Sequence, residues 1–350
     1  MIDYDEIVNK QWTLHSRPTH ELVHAHFGYT ETAVSPPVEG EILLKSHYLN
    51  IAPVMRMYMM ADGGGYSTEK ILNIGDVIHG RGVAEVIASE HPDYQIGDFV
   101  HGQVGWQSYK RSAATVKEKL RKMKPRKLPI HYGLSALGMT GFSAYCGFMD
   151  RGQPKQGEAI LVSGAAGGVG SLVVQIAKAI GCGPVIGIAG GPEKCALVKS
   201  LGADGMIDYK NENVADRIAE LLPQGYDVFF DNVGGDILND ALNHMKKCAR
   251  IVLCGGISEY AKTEPFGPTN YGKLRMKGAD MKGFFVYYHA DQFDAAESHI
   301  ADMIRQNQLQ AIVDIKDGFD KMPEALIGMY QGTNAGKSIV KVSEGEEIIY

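Results

Sequence analysis

The residues whose types and spacing point most clearly to chemistry lie between Ala165 and Gly170. Ala165, Gly167 and Gly170 match the pattern G-x-G-x-x-G, with alanine in the first place. Gly168 and Val169 fill the positions between the last two glycines. In this pattern the first small residue permits a tight turn, the second brings backbone close to a diphosphate, and the third lets a helix pack closely. The spacing therefore indicates a dinucleotide site, with the diphosphate facing N–H groups of a helix's first turn.

The stretch AILVSGAAGGVGSLVVQIAKAI places this pattern between a strand and a helix. Residues 159–162 form an apolar run typical of a buried strand, and apolar residues recur at helical spacing from Val169 to Ile180. A glycine pattern alone is weak evidence in a chain with 42 glycines, so this setting decides the interpretation. Further strand-like runs follow at 184–189, 206–209, 226–233, 250–254 and 281–286. Their alternation with helical segments predicts an α/β fold with a doubly wound, Rossmann-type parallel sheet.

The length and charge of the chain limit its organisation and partners. At 350 residues the chain exceeds what one hydrophobic core usually fills, so we expect two domains. A formal net charge of -6 and a pI near 6.1 argue against nucleic acid as a partner. No stretch approaches the ~18 to 20 apolar residues of a membrane span, and the first ten residues lack an apolar signal core. We expect a cytoplasmic protein with neither a nucleic-acid nor a membrane partner.

The cysteines and histidines do not form a metal-binding pattern. Five cysteines without a C-x-x-C pair fit reduced thiols, and none of them precedes Cys146. His15, His20, His24 and His26 are close in sequence, but no cysteine or obvious carboxylate completes a ligand set. We therefore predict that the protein binds no metal.

The distribution of short strands predicts the domain boundaries. Between Glu39 and Val104, short strands alternate with Gly and Pro, which is typical of a compact β domain. In that region Met55, Met57 and Met59 alternate after Pro53, so we expect one face of the segment to be lined by methionine. A late strand, GKSIVKV, follows the six strands of the α/β region. We predict a β domain over 1–130, completed by 301–350, and a dinucleotide domain over 131–300.

The segment IAGGPEK indicates which dinucleotide binds. NAD-binding units place a carboxylate about 20 residues after the glycines, where it binds the ribose. Here Gly190 and Gly191 stand at that turn, and Lys194 follows where a cation could meet a 2′-phosphate. Glu193 is the one nearby carboxylate, and we expect it to point to solvent from the next helix. Tyr209, at the end of the third strand, could flank the same phosphate or the adenine. A phosphate requires a cation and rejects a fixed anion, so NADPH is favoured over NADH.

With these residues placed, the chain resembles the medium-chain dehydrogenase/reductase superfamily. More narrowly, it is similar to the zinc-independent branch of leukotriene hydroxydehydrogenase/prostaglandin reductases, plant alkenal double-bond reductases and bacterial NADPH-dependent curcumin reductases. The resemblance covers nearly the whole chain and rests on NKQWTLHSRP, YQIGDFVHGQVGWQSY, LGMTGFSAYCGFMDRGQPKQGE, FDNVGG, CGGISEY, GFFV and GTNAGKSIVKV. CGGISEY followed by EPFGP is most similar to the curcumin-reductase type. The resemblance implies a GroES-like β-barrel catalytic domain beside the Rossmann domain, and a homodimer.

The resemblance also implies roles for individual residues. Gly167 to Gly170 would contact the diphosphate, and Thr140 would lie beside the nicotinamide. The rest of NADPH would be lined by Asn232, Cys254, Gly255, Ile257, Ser258, Tyr260, Phe284, Phe285, Val286 and Asn334. The family usually has D-P-Y-M-R where this chain reads A-P-V-M-R from Ala52 to Arg56, so an aromatic residue of the substrate region is missing.

The reaction that the resemblance implies is NADPH-dependent reduction of the C=C bond of an α,β-unsaturated ketone or aldehyde. Without a metal, hydrogen-bond donors must stabilise the enolate oxygen that forms. Tyr260 is the first candidate because a phenol stays protonated at neutral pH, although a purely positional ribose contact is an equal alternative. Tyr66 is a second candidate and Tyr271 a weaker third. A quinone reductase of the same superfamily and a non-enzymatic NADPH-binding protein are the alternative functions.

Overall fold

The strands that precede Leu134 are short and antiparallel. The computed structural model describes residues 2–61, 71–260 and 267–350. The elements of this part are β1 (Val8–Leu14), β2 (Phe27–Ala33), β3 (Ile42–Asn50), α1 (Val54–Tyr58), β4 (Arg81–Ser89), β5 (Phe99–Gln103), β6 (Tyr109–Ser112) and β7 (Arg121–Lys122). β3 pairs with β4 and with β6, and β4 pairs with β5. The inward side chains of these strands build one apolar core that includes Leu44, Leu49 and Val86, and Trp106, between β5 and β6, belongs to the same core.

The methionine segment is helical, which corrects the expectation of one methionine-lined face. Met55 and Met57 belong to the short helix α1, and Met59 caps it. Arg56 and Tyr58 are buried as well, so the alternation along the sequence does not separate a buried face from an exposed one. Consecutive side chains in a helix are rotated by about 100° around its axis, whereas consecutive side chains in a strand point to opposite faces. Alternating residues of a helix therefore do not share one face.

Helices and parallel strands alternate after Ser135. The elements are α2 (Met139–Cys146), β8 (Ile160–Val162), α3 (Gly168–Ala179), β9 (Val185–Ala189), α4 (Pro192–Ser200), β10 (Gly205–Asp208), α5 (Val214–Leu221), β11 (Tyr226–Asp231), α6 (Gly235–Ala241), β12 (Met245–Leu253), α7 (Gly272–Lys277), β13 (Asp280–Gly283) and α8 (Phe293–Arg305). The strand order is β10-β9-β8-β11-β12-β13, and every pair is parallel. The predicted doubly wound sheet is therefore confirmed, and β8 lies where the order reverses.

This sheet has the apolar strands that burial on both faces requires. Ile160, Leu161 and Val162 of β8 are fully buried, as are Val228, Phe229 and Phe230 of the neighbouring β11. Parallel strands covered by helices on both sides read as continuous apolar runs rather than as alternating ones. Because polar groups cannot interrupt such runs, the chemistry of the sheet is confined to the loops at the carboxyl ends of its strands.

The last elements of the chain are β14 (Val313–Asp317), α9 (Met322–Gln331) and β15 (Lys337–Lys341). β15 pairs with β3, so this late segment joins the sheet that contains β3, β4 and β5, whereas β1 and β2 form a separate two-stranded sheet. The first compact unit comprises the residues up to Leu134, Asp314–Asn334 and Ser338–Tyr350; the second comprises Ser135–Val313 and Ala335–Lys337. The changes of unit thus fall after Leu134 and after Val313 rather than after 130 and 300, and a three-residue piece of the late segment, Ala335–Lys337, joins the second unit. No helix in the described part of the chain has the length and apolarity needed to cross a membrane.

Candidate cofactor and active site

The turn between β8 and α3 has no space for side chains at its glycines. A Cβ on Gly170 would lie 2.3 Å from the carbonyl oxygen of Gly164. A Cβ on Gly168 would lie 3.1 Å from Cγ2 of Thr140, the residue expected beside the nicotinamide. Gly167 has an extended backbone and caps α3, whose first turn includes Val169. The turn therefore presents backbone N–H groups at a helix N-terminus, which is the donor set that a diphosphate requires.

Ala165 can occupy the first position of the pattern because the preceding residue, Gly164, makes the turn. Gly164 has a φ of +57°, whereas Ala165 has no positive φ. The N–H of Ala165 donates to the carbonyl oxygen of Ile188 at 3.0 Å, and its Cβ lies 2.9 Å from where a Cβ on Gly187 would stand. The methyl group thus packs between β8 and β9. Glycine is required one position earlier than the sequence pattern suggested.

The residues expected at the 2′-phosphate lie around the turn after β9. Gly191 has a φ of +93°, and a Cβ on Gly190 would lie 2.8 Å from the ring of Tyr209. Tyr209 follows β10, so its ring covers Gly190 while nearly half of its surface remains exposed. Lys194 is the third residue of α4. The structure thus places Tyr209 against this turn and Lys194 in the helix that begins from it.

Asp208 is a carboxylate at this turn that the sequence analysis missed. Its Oδ1 accepts hydrogen bonds from the N–H groups of Gly191 at 2.7 Å and Lys210 at 3.1 Å, and its Oδ2 accepts one from Asn211 at 2.7 Å. The bond from Gly191, followed by that from Asn211, lowers the pKa of Asp208. The carboxylate shapes the turn through backbone donors. Its position next to Tyr209 was the only signal in the sequence, because Gly191 is 17 residues away.

The loops that follow β8 and β11 are joined by buried polar groups. Oγ of Ser163 donates to Oδ1 of Asp231 at 2.6 Å and accepts a bond from the N–H of Asn232 at 2.8 Å. The amide Nδ2 of Asn232 donates to the carbonyl oxygen of Ser163 at 2.8 Å. Asp231 also accepts bonds from the N–H groups of Val233 and Gly234. Asn232 is therefore held directly beside the start of the glycine-rich turn.

The CGGISEY loop after β12 is tied to the same region. The N–H groups of Cys254 and Gly255 donate to the carbonyl oxygen of Asp231 at 2.9 and 3.2 Å. Oγ of Ser258 donates to the carbonyl oxygen of Val233 at 2.6 Å, and Ile257 precedes it in the turn. Burial raises the pKa of the Cys254 thiol to about 12, so this thiol is neutral at physiological pH and is not a nucleophile.

Tyr260 turns its hydroxyl back toward its own loop. The N–H of Gly256 donates to the Tyr260 hydroxyl oxygen at 3.2 Å. Oε1 of Glu259 accepts a bond from the N–H of Gly235 at 3.1 Å, which fixes the loop to the start of α6. A phenol that accepts one hydrogen bond still has its own proton to donate. Both roles considered for Tyr260, donor and positional contact, are compatible with this geometry.

The GFFV segment continues the sheet edge after β13. The N–H of Phe284 donates to the carbonyl oxygen of Leu253 at 3.0 Å, and its buried ring packs against His289 at 5.0 Å between centroids. His289 in turn lies 3.1 Å from Asp150, measured between Nδ1 and Oδ2. Phe285 precedes a helical turn that begins at Val286. Backbone pairing and buried ring contacts thus position this segment in the second unit.

The three remaining candidate residues are Tyr66, Asn334 and Tyr271. Tyr66 lies outside the described residues. Asn334 ends a segment of the first unit, immediately before Ala335–Lys337, which belong to the second. Tyr271 caps α7 and is 65% exposed.

The described residues contain no group of three His, Cys, Asp or Glu side chains arranged to hold a metal ion. That the protein binds no metal remains a prediction. All five cysteines are free thiols.

Comparisons with known proteins agree with the fold. The sequence profile described as zinc-binding dehydrogenase matches residues 168–302, and that described as the N-terminal domain of oxidoreductase matches 10–120. NADPH-dependent curcumin reductase of Escherichia coli is 36% identical over 96% of this chain and 97% of its own length. Prostaglandin reductase 1 of Bos taurus is 36% identical over 95% and 98%. The crystal structure of CurA from Vibrio vulnificus in complex with NADPH superposes with a TM-score of 0.88, at 34% identity over 96% and 100%.

The fold and the glycine-rich turn define a dinucleotide-dependent oxidoreductase. The chain belongs to the medium-chain dehydrogenase/reductase superfamily, in the branch that contains the curcumin and prostaglandin reductases. Its cofactor is NADPH. The resemblance inferred from the motifs is thereby confirmed, as is the preference for NADPH that the turn after β9 predicted.

Proposed function

We infer that this chain reduces the C=C bond of α,β-unsaturated ketones or aldehydes, of the curcumin or alkenal type. The inference is supported by relatives named for curcumin and for 2-alkenals, the latter from Nicotiana tabacum at 36% identity. The observation that carries it is the geometry of one unit: a diphosphate cradle at Gly167–Gly170 lies beside Asn232, which is held by Ser163. The CGGISEY loop, which bears Tyr260, is tied to the same region.

The chain's own residues must position the cofactor and manage charge on the substrate. When bound, NADPH supplies a hydride to the carbon β to the carbonyl. We propose that the N–H groups at Gly167–Gly170 hold the diphosphate, while Lys194 and Tyr209 bind the 2′-phosphate. Asn232, the loop from Cys254 to Tyr260, Phe284–Val286 and Asn334 line the remainder, with Thr140 beside the nicotinamide.

Tyr260 is our candidate for stabilising the negative charge that develops on the carbonyl oxygen. Its hydroxyl oxygen accepts the N–H of Gly256 at 3.2 Å, and we propose that its O–H donates to the substrate oxygen. A donor already oriented toward the developing charge stabilises the transition state more than the ground state. The α-carbon then receives its proton from Tyr260 or from water. Tyr66 remains the second candidate donor.

The function is tested by assaying the enzyme with NADPH and two acceptors in separate reactions, an enone such as curcumin and a quinone. We expect many equivalents of NADPH consumed per chain and a product saturated at the α,β bond. Reduction of a quinone to a hydroquinone, with the enone untouched, would instead assign the quinone reductase activity. Tight NADPH binding with no turnover of either acceptor would instead indicate a non-enzymatic NADPH-binding protein.

We propose that the protein is a homodimer formed through the edge of the parallel sheet. β13 ends the strand order, so the backbone groups on its outer side have no strand partner among the described residues. The helix α7 before it and the helical turn after it carry Met276 and Tyr288, each 81% exposed. Exposed apolar side chains beside an unpaired edge suit a second copy of the chain. Light scattering coupled to size-exclusion chromatography tests this proposal, and a monomer at micromolar concentration would refute it.

We also propose a cytoplasmic location. Five free thiols, including the exposed Cys248, are typical of a reducing compartment. Cell fractionation tests it, and recovery of the protein outside the cytoplasm would contradict it.

A further inference from the structure

The carboxylate of Asp208 joins the two loops that carry the residues expected at the 2′-phosphate. Its Oδ1 accepts the N–H of Gly191 at 2.7 Å, in the loop after β9, and the N–H of Lys210 at 3.1 Å, in the loop after β10. The first of these loops leads into α4, which contains Lys194. In the second loop, Tyr209 directly follows Asp208. One oxygen atom thus connects both loops through backbone donors.

Gly191 transmits this support to α4. Its φ of +93° lies in the region that glycine adopts readily, so the turn has little stiffness of its own. Its carbonyl oxygen accepts the N–H of Cys195 at 3.1 Å, in the helical turn that contains Lys194. On the other side, the ring of Tyr209 covers Gly190, where a Cβ would lie 2.8 Å from that ring. The position of Lys194 thus depends on a glycine pair that is held from the end of β10.

The remaining polar groups of Asp208 are bonded within the protein as well. Its Oδ2 accepts the side-chain amide of Asn211 at 2.7 Å, and its N–H donates to Oε2 of Glu212 at 2.7 Å. Parallel pairing sets Asp208 opposite Ala189, whose carbonyl oxygen accepts the N–H of Tyr209 at 3.1 Å. In NAD-binding units a carboxylate binds the ribose hydroxyls. Both oxygens of Asp208 are instead used to hold the cofactor loops together.

We propose that Asp208 is a positioning residue for cofactor selection, which holds the loop before Lys194 and the loop of Tyr209 in the arrangement that binds the 2′-phosphate. A charge-assisted bond forms at a separation of about 2.7–2.9 Å, so the lysine must be held at the correct distance from the phosphate. A displaced loop would weaken that bond, whereas NADH has no 2′-phosphate to lose. This role rests on the proposed binding of the 2′-phosphate by Lys194 and Tyr209, and not on the enone reaction.

The role is tested by fluorescence titration with NADPH and with NADH, in the absence of substrate. Asp208→Ala removes the acceptor, and we expect the Kd for NADPH to rise about tenfold and that for NADH by less than about threefold. Asp204→Ala is the matched control, because Oδ2 of Asp204 accepts the N–H of Val185 at 2.7 Å and joins the amino ends of the same two strands. This control should lose thermal stability and keep the wild-type ratio of the two Kd values.

Two conservative variants separate the position of the acceptor from its charge. Asp208→Asn keeps an oxygen for the N–H groups of Gly191 and Lys210, so we expect a Kd for NADPH within about twofold of the wild type. Asp208→Glu keeps the charge but moves both oxygens one bond further from the strand, so it should lose NADPH affinity selectively. The opposite order, with the asparagine variant weak and the glutamate variant normal, would overturn the proposal. This pair decides the matter even where Asp208→Ala does not fold, and circular dichroism checks the folding of each variant.

Further outcomes of the titrations also count against the role of Asp208. An equal loss of NADPH and NADH affinity in Asp208→Ala, or no loss, overturns it, and so does a loss confined to NADH, which would assign the carboxylate to the ribose. If Lys194→Ala weakens NADPH selectively and Asp208→Ala does not, the positioning role fails alone. If neither variant changes the ratio of the two Kd values, the assignment of the 2′-phosphate site fails with it.

Discussion

The carboxylate of Asp231 accepts a 2.6 Å hydrogen bond from the hydroxyl of Ser163, and this bond joins the carboxyl ends of two adjacent parallel strands. Asp231 is completely buried. Burial raises its pKa, while the bonds from Ser163, Val233 and Gly234 act in the opposite direction. A buried anion with several donors orients the groups around it. This residue therefore positions the loops of the cofactor site without being expected to touch the cofactor.

Replacing Asp231 with asparagine should weaken NADPH binding. The amide of Asp231→Asn places an NH2 donor where one carboxylate oxygen accepts, so at least one of the bonds from Ser163, Val233 and Gly234 is lost. We expect a cost of about 1–3 kcal/mol in stability and a several-fold higher Kd for NADPH.

The matched control is Asp227→Asn on the same strand. Asp227 lies at the amino end of β11 and accepts bonds from Ala159 and Lys246. Asp227→Asn should lower the melting temperature without changing the Kd of the folded protein for NADPH. An unchanged Kd in Asp231→Asn would refute the positioning role.

Gly170→Ala should not be tolerated. Its Cβ would stand 2.3 Å from a backbone oxygen of the turn, and backbone cannot move aside as a flexible side chain can. Overpacking of this kind costs about 1–3 kcal/mol or more. Thermal unfolding measures the effect. Gly272→Ala, at a helical position with open space around it, should be neutral or slightly stabilising. Equal melting temperatures for the two variants would contradict the packing argument.

Lys194→Ala should weaken NADPH far more than NADH. If the ammonium forms a charge-assisted bond with the 2′-phosphate, the loss is about 1.5–3 kcal/mol for NADPH alone. Fluorescence titration with each cofactor gives the two Kd values. Lys199→Ala, later in the same helix, is the control, since Lys199 donates to the backbone of Asp204. An equal loss for both cofactors, or none, would mean that Lys194 does not recognise the phosphate.

Tyr260→Phe separates a donor from a positional contact. The change keeps the ring and deletes the hydroxyl, so a donor role predicts a fall in kcat and kcat/KM together, on the order of 10²-fold. The Kd of NADPH should change little. Tyr29→Phe, on strand β2 and 46% exposed, should retain full activity. An intact kcat with much weaker NADPH binding would assign the hydroxyl to the cofactor.

Activity should survive removal of metal ions. No cysteine precedes Cys146, and the described residues offer no cluster of three metal-binding side chains. Dialysis against EDTA followed by metal analysis and an NADPH oxidation assay measures this. Stoichiometric zinc that is lost together with activity would overturn the prediction.

The sequence by itself determined the features that depend on neighbouring residues. The turn between β8 and α3 was predictable because strand, small residues and helix follow one another within about 20 positions, each with its own periodicity. The turn after β9 was predictable for the same reason, since Gly190, Gly191 and Lys194 are adjacent. The methionine segment shows the limit of such reasoning, because in a run of five residues alternation does not distinguish a helix from a strand.

Only the tertiary structure decided which distant residues support these turns. Ser163 and Asp231 are 68 positions apart, Gly191 and Asp208 are 17 apart, and Lys337 reaches Gly168 from a segment at the other end of the chain. Nothing local marks an aspartate that binds backbone N–H groups or a lysine that will be buried. Their surroundings arise when parallel strands align their carboxyl ends and a late segment packs against the first turn of α3. Hydrogen bonding and desolvation then determine whether each group is a surface charge or part of the cofactor site.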